Sequence, residues 1–112
     1  MGSPLYRYTS MGNRKQPRLT LASLKVLRVF LENPNQQLSG VEIQKLSGVA
    51  TGTLYPIVLR FEAAGWLKSK WEDIDPKEAG RPRRRFYWLT GDGFARANEA
   101  LSHLGSEVPA WA

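Results

Sequence analysis

Residues 81–85 read RPRRR, four arginines within five positions, with Pro82 stiffening the chain between the first two. Guanidinium forks suit phosphate oxygens, to which they donate paired hydrogen bonds, and they suit a narrow, negative minor groove. On this reading Arg81 and Arg83 serve the minor groove, and Arg84 and Arg85 serve phosphate or the solvent face of a strand. The competing reading is a solvated loop tip, partly neutralised by Glu72, Asp73, Asp75 and Glu78. A second constellation is TGTLYPIVLRFE, residues 51–62. Leu54, Ile57, Val58 and Phe61 follow the i, i+3, i+4, i+7 spacing of one buried helix face. The opposite face carries Gly52, Pro56 and Ala63, flanked by Thr53 and Arg60 on one side and by Tyr55 and Leu59 on the other. No long side chain stands at its centre. Such a helix fits a major groove about 12 Å wide, its edge hydroxyls and guanidinium reaching bases and phosphates. Its free N-terminal N–H groups also suit phosphate. Pro56 lacks a backbone donor, a defect that costs a helix interior about 3 kcal/mol. We read the resulting bend and smooth surface as setting how the first turn meets DNA; the alternative is a proline tolerated near the first turn.

Catalytic groups are scarce. His103 is the single histidine and cysteine is absent, which leaves no thiolate metal site and no disulfide. Asp73 and Asp75, with Pro76 after them, read as a solvated turn rather than a metal site. There is no glycine-rich phosphate loop and no nucleophile elbow. The expectation is a protein that is not an enzyme and carries no cofactor and no metal.

The charge points the same way as the arginines. Sixteen Lys and Arg against ten Asp and Glu give a formal +6 in 112 residues, with a pI near 10.0. A small basic domain attracts polyanions, nucleic acid first. The first 20 residues add Arg7, Arg14, Lys15 and Arg18 with no acid, so two separated basic segments are available to grip a phosphate backbone. No apolar run approaches the roughly 18 residues of a membrane span. A cytoplasmic protein is expected.

The elements that must position these residues follow from local signals. Residues 1–18 mix Gly, Ser, Pro and basic residues and read as a basic N-terminal arm, with Met11 a second candidate start. Thr20 caps a helix with an apolar stripe of Leu21, Leu24, Leu27 and Leu31, Phe30 beside it, ending at Asn33-Pro34. Ser39 to Glu42 forms a capping box for a short helix burying Ile43 and Leu46 and closed by Gly48. Residues 49–51 make the turn, and the quoted helix runs on to Ala64 before Gly65. Then the period changes to 2: Leu67, Ser69 and Trp71 alternate with Trp66, Lys68 and Lys70, and a second strand ends RRFYWLT. Thr90 caps a last helix with a stripe of Phe94, Ala97, Leu101 and Leu104. The fold class is mainly α with a small β hairpin: a winged helix-turn-helix over residues 19–89, followed by a C-terminal dimerisation helix and tail over 90–112.

The stretch SGVATGTLYPIVLRFEAAGWLKSKWED, followed by GRPRRRFYWLTGDG, resembles the PadR-like family of bacterial winged-helix transcriptional regulators. The resemblance covers about residues 19–101, with Gly52 to Pro56 as its most specific segment. It implies a homodimer on a pseudo-palindromic operator, usually a repressor, joined through the C-terminal helix and often the N-terminal segment too. It implies DNA contacts by Thr51, Thr53 and Tyr55 and by the wing cluster Arg81 to Arg85, in addition to Gly52, Pro56 and Arg60 from the face described above. Dimerisation falls to Phe94, Ala97, Leu101 and Leu104. Two departures stand out. Gly40-Val41-Glu42-Ile43 lacks the tyrosine that members often place there. Ala50 precedes Thr51 where members often have Ser-Pro, so Thr51 is expected to take part of the capping role. The short C-terminal part argues against a small-molecule effector pocket lined by Leu104, Val108 and Trp111; the simpler reading has Trp111 pack on the dimer surface or fray.

Two rival functions remain on the sequence. One is a winged-helix module for protein assembly, or for another DNA transaction such as recombination or replication initiation. The other is RNA binding, for which Phe86 and Trp88 share a strand face but no RNA-recognition motif accompanies them.

Overall fold

The computed structural model describes residue 17 and residues 19–103, apart from the side chain of His103. The N-terminal arm apart from Pro17, together with Leu104, Gly105, Val108 and Trp111, lies outside the described residues. The chain order is α1 (Leu21–Glu32), β1 (Leu38–Ser39), α2 (Gly40–Ser47), α3 (Thr51–Ala63), β2 (Leu67–Trp71), α4 (Pro76–Ala79), β3 (Arg85–Leu89) and α5 (Gly91–His103). The strands form one antiparallel sheet in the order β1-β3-β2. The expected hairpin is therefore part of a three-stranded sheet, because the two residues before α2 pair with β3 through Leu38–Tyr87 and Ser39–Phe86.

α1 starts at a reciprocal cap. The Thr20 hydroxyl accepts from the Ser23 N–H (3.1 Å), and the Ser23 hydroxyl accepts from the Thr20 N–H (2.7 Å). Leu24, Leu27 and Phe30 are buried as expected, whereas Leu21 is exposed and Leu31 half-buried. Ser23, Val26 and Val29 are buried in addition. The inward arc is wide because α2, α3 and α5 all pack on α1. α2 carries the expected box, with Ser39 N–H donating to the Glu42 carboxylate (2.8 Å) and Glu42 N–H to the Ser39 hydroxyl (3.3 Å). Only Gly40 and Ile43 of this short helix are buried. Leu46 is 57% exposed, contrary to expectation, and lines a shallow groove between α1 and α2.

α3 buries Leu54, Ile57, Val58 and Phe61 and no other residue. The Phe61 ring stacks on Trp66 at 5.3 Å. Gly65, at φ 82°, turns the chain from α3 into β2, in the left-handed region where a side chain is strained. Along β2 burial fades from Leu67 through half-buried Ser69 to exposed Trp71, as the strand runs out beyond the core. Thr90 ties the last helix to this turn: its hydroxyl donates to the Gly65 carbonyl (2.7 Å) and accepts from the Gly93 N–H (2.9 Å).

The candidate nucleic-acid interface

Three segments converge on one side: the N-terminus of α2, the outer face of α3 and the wing, residues 72–84 between β2 and β3. Thr51, Gly52, Thr53, Pro56, Leu59, Arg60 and Ala63 are exposed, so the low-profile face of α3 opens to solvent. Thr51 is the first helical residue and not part of the turn. Ala50 occupies the cap position and no side chain caps this helix, so the expected help from Thr51 is not there. The first turn is closed by backbone alone, with Thr53 and Leu54 N–H both donating to the Ala50 carbonyl (3.0 and 2.8 Å). Pro56 has no N–H to donate to the Gly52 carbonyl one turn back, and both residues lie on the exposed face.

Tyr55 lies over Gly40 of α2 and remains 42% exposed. It lines a groove of about 310 Å³ together with Gly40, Val41, Trp71, Tyr87 and the arginines 83, 84 and 85. The α3 tyrosine and three of the four wing arginines are thus brought to one concavity. Burial pushes the Tyr87 phenol above its ordinary range, which keeps it neutral on the groove floor.

The four arginines do different things. Arg81, assigned on sequence to the minor groove, instead points its fork at Glu72: Nη1 donates to Oε1 (2.7 Å) and Nη2 to Oε2 (2.9 Å). One acid of the loop, Glu72, neutralises this one arginine, as the competing sequence reading allowed in part. Arg83 donates from Nε to the Ile74 carbonyl (2.9 Å), and among the described residues nothing engages its terminal nitrogens. Arg84 is exposed, and among the described residues it is hydrogen-bonded through its backbone alone. Arg85 lies over the Trp71 ring at 4.9 Å and 3.6 Å from the Glu62 carboxylate. Ser69 donates a hydrogen bond to the same carboxylate, so Glu62 ties the end of α3 to both wing strands. Asp75 caps α4 by accepting from the Lys77 N–H (2.9 Å). No cluster of His, Asp or Glu fit for a metal ion occurs among the described residues.

Sequence reasoning missed Gly40 and Val41 as groove residues, Trp71 as the surface under Arg85, and the fork of Arg81 on Glu72. Burial also divides the expected dimerisation stripe. Phe94 is 45% exposed and Leu101 half-buried, but Ala97 is wholly buried in the domain's own core. A methyl side chain there lets α5 close on α1, so Ala97 offers no surface to a second subunit.

Three helices, a sheet of three strands and an arginine-bearing loop beside the third helix define a winged helix-turn-helix protein. Residues 35–99 match the profile of the transcriptional regulator PadR-like family, and the chain belongs to that family. Among solved structures, a PadR-like transcription factor from Bacteroides fragilis is 24% identical, with a TM-score of 0.61 over 75% of this chain and 80% of its own. The reduced form of AbfR bound to DNA is 21% identical, with a TM-score of 0.62 over 82% of this chain and 61% of its own; AbfR is a protein of Staphylococcus epidermidis. BpsR of Bordetella bronchiseptica, whose DNA binding is regulated by 6-hydroxynicotinic acid, is 22% identical, with a TM-score of 0.63 over 80% of this chain and 58% of its own. The chain therefore spans about three fifths of the length of AbfR and BpsR. No curated protein matches it in sequence. Among the described residues, no helix is long and apolar enough to cross a membrane.

Proposed function

We infer that this chain is a sequence-specific double-stranded DNA-binding transcriptional regulator, acting in the cytoplasm as a homodimeric repressor on a pseudo-palindromic operator. The observation that carries the reading is the open, low-profile face of α3, whose Tyr55 shares a groove with Arg83, Arg84 and Arg85. α3 enters the major groove with Thr51, Gly52, Thr53 and Pro56 leading and Tyr55 and Arg60 at its edges. Arg83 and Arg84 reach the neighbouring backbone or minor groove. The exposed ring of Phe94 and the half-buried Leu101 supply the twofold contact, and a dimer doubles the phosphate contacts and sets two recognition helices about one DNA turn apart.

Enrichment of duplexes from a random pool tests the site and the symmetry together. The expected product is a pair of inverted half-sites with centres about 10 bp apart. A pool that stays random would favour the assembly module instead. Leu101→Glu is expected to halve the mass in sedimentation equilibrium, and an unchanged mass would move the subunit contact elsewhere.

A further inference from the structure

Glu72 stands at the base of a loop that carries three further acids, Asp73, Asp75 and Glu78, yet its carboxylate alone is the hub of the arginine run that follows. Oε1 accepts from Arg81 Nη1 (2.7 Å) and from the Arg84 backbone N–H (3.1 Å), while Oε2 accepts from Arg81 Nη2 (2.9 Å). The Glu72 N–H donates in turn to the Arg84 carbonyl (2.7 Å). The Glu72 side chain is 17% exposed and that of Arg81 37%. Arg81 Nη1 also donates to the Pro82 carbonyl (3.2 Å), so the fork is directed into the loop and not outward. One carboxylate therefore fastens both ends of the segment that presents Arg83 and Arg84.

We propose that Glu72 is a positioning residue for DNA discrimination: it withdraws Arg81 from the basic cluster and fixes the backbone at Arg84, so that Arg83 and Arg84 meet the duplex in one geometry. The proposal rests on the DNA-binding reading. Its physical basis is the difference between charge and placement. Loose arginines bind any polyanion by releasing counterions, without regard to sequence. Fixed guanidinium groups lose less freedom on docking, and they favour the duplex whose phosphates and groove width match their spacing. An acid that neutralises one arginine and holds another lowers general affinity and raises selectivity, and selectivity is a difference of affinities.

The test compares wild type, Glu72→Ala and Glu72→Gln. Without DNA, amide exchange at the Arg84 N–H is expected to rise about tenfold or more in Glu72→Ala, which has no acceptor, and to stay near wild type in Glu72→Gln, which keeps one. Affinity is then measured for a random-sequence duplex and for the duplex enriched by the wild type. Glu72→Ala adds one to the formal charge of +6, so the random duplex is expected to bind more tightly, with a salt slope steeper by about one unit. The enriched duplex is expected to lose about tenfold despite that added charge. Glu72→Gln frees Arg81 but not Arg84, so it should steepen the salt slope and keep most of the discrimination. A Glu72→Ala protein that preserves the wild-type ratio between the two duplexes overturns the proposal alone. A wild type that binds neither duplex overturns the DNA-binding reading, and the DNA role of Glu72 with it.

Discussion

The ring of Tyr55 on α3 lies against the α-carbon of Gly40 on α2, so closely that a β-carbon at position 40 would stand 2.3 Å from the hydroxyl oxygen and 2.9 Å from two ring carbons. Two helices of the helix-turn-helix are thus joined by a tyrosine that needs a glycine beneath it. The obstacle to a β-carbon is a half-exposed side chain and not backbone, so Gly40→Ala should move the ring rather than unfold the domain. The alanine itself is a better helix former than the glycine it replaces. The expected outcome is a displaced Tyr55 ring resonance, little change in thermal midpoint, and about a tenfold loss for the preferred duplex, equivalent to ~1.4 kcal/mol. Tyr55→Ala should lose at least as much on that duplex and much less on random DNA. Equal losses on both would show that the tyrosine reads no base.

Pro56 sets stability against fit. Its ring occupies a fully helical segment and withholds one backbone donor. Pro56→Ala restores the bond to Gly52. The gain in helix propensity is about 3 kcal/mol, offset by up to ~1 kcal/mol for the greater freedom of the unfolded chain and by whatever bend the fold already accommodates. The denaturant midpoint should rise by the equivalent of roughly 1–2 kcal/mol. Binding to the preferred duplex should weaken, because the first turn of α3 would approach the groove at a different angle. A variant that is more stable and binds as well would reduce Pro56 to a tolerated residue.

What the sequence made legible was whatever depends on neighbours along the chain. The buried face of α3 follows from Leu54, Ile57, Val58 and Phe61, and the Ser39–Glu42 and Thr90 caps join residues three apart in the chain. β1 escaped because two residues carry no alternation, and Leu38 and Ser39 become a strand only by pairing with β3. The short α4 was hidden in a polar run whose cap is Asp75. The fork of Arg81 on Glu72 joins residues on opposite limbs of the wing, and the count of charges does not say which arginine meets which acid. Ala97 belonged to a stripe with Phe94 and Leu101, but the side of α5 that meets α1 is fixed by tertiary packing.

Acid should loosen the wing within a definite window. The hydrogen bonds from Arg81 hold the Glu72 carboxyl well below its ordinary 4.5, at about 2, with help from the Arg84 N–H and against some cost of burial. A carboxyl whose pKa is depressed by folding stabilises the folded chain fully above its unfolded value, and the contribution is lost as pH falls through the folded value. The wing contact is therefore intact at neutral pH and fades between about pH 4.5 and 2. Urea midpoints followed across that range should fall less steeply in Glu72→Gln than in wild type. Parallel curves would mean that the carboxylate contributes nothing to folding.

At Gly93 the start of α5 passes close against the backbone of Trp66. A β-carbon there would lie 1.9 Å from the Trp66 carbonyl oxygen and within 2.9 Å of its carbonyl carbon and α-carbon. That carbonyl also accepts from the Thr90 N–H (3.0 Å) and hydroxyl (3.3 Å), so moving it aside breaks the cap that holds α5. Gly93→Ala is accordingly expected to destabilise the domain by about 3 kcal/mol, the upper range for forced overpacking, with an unchanged denaturant slope. Gly91→Ala is the control two residues away: it has open space around its α-carbon and no positive φ. It should be neutral or stabilise by roughly 0.4–1 kcal/mol through the unfolded chain. If the two variants unfold at the same denaturant concentration, the close approach at Trp66 does not constrain the seating of α5.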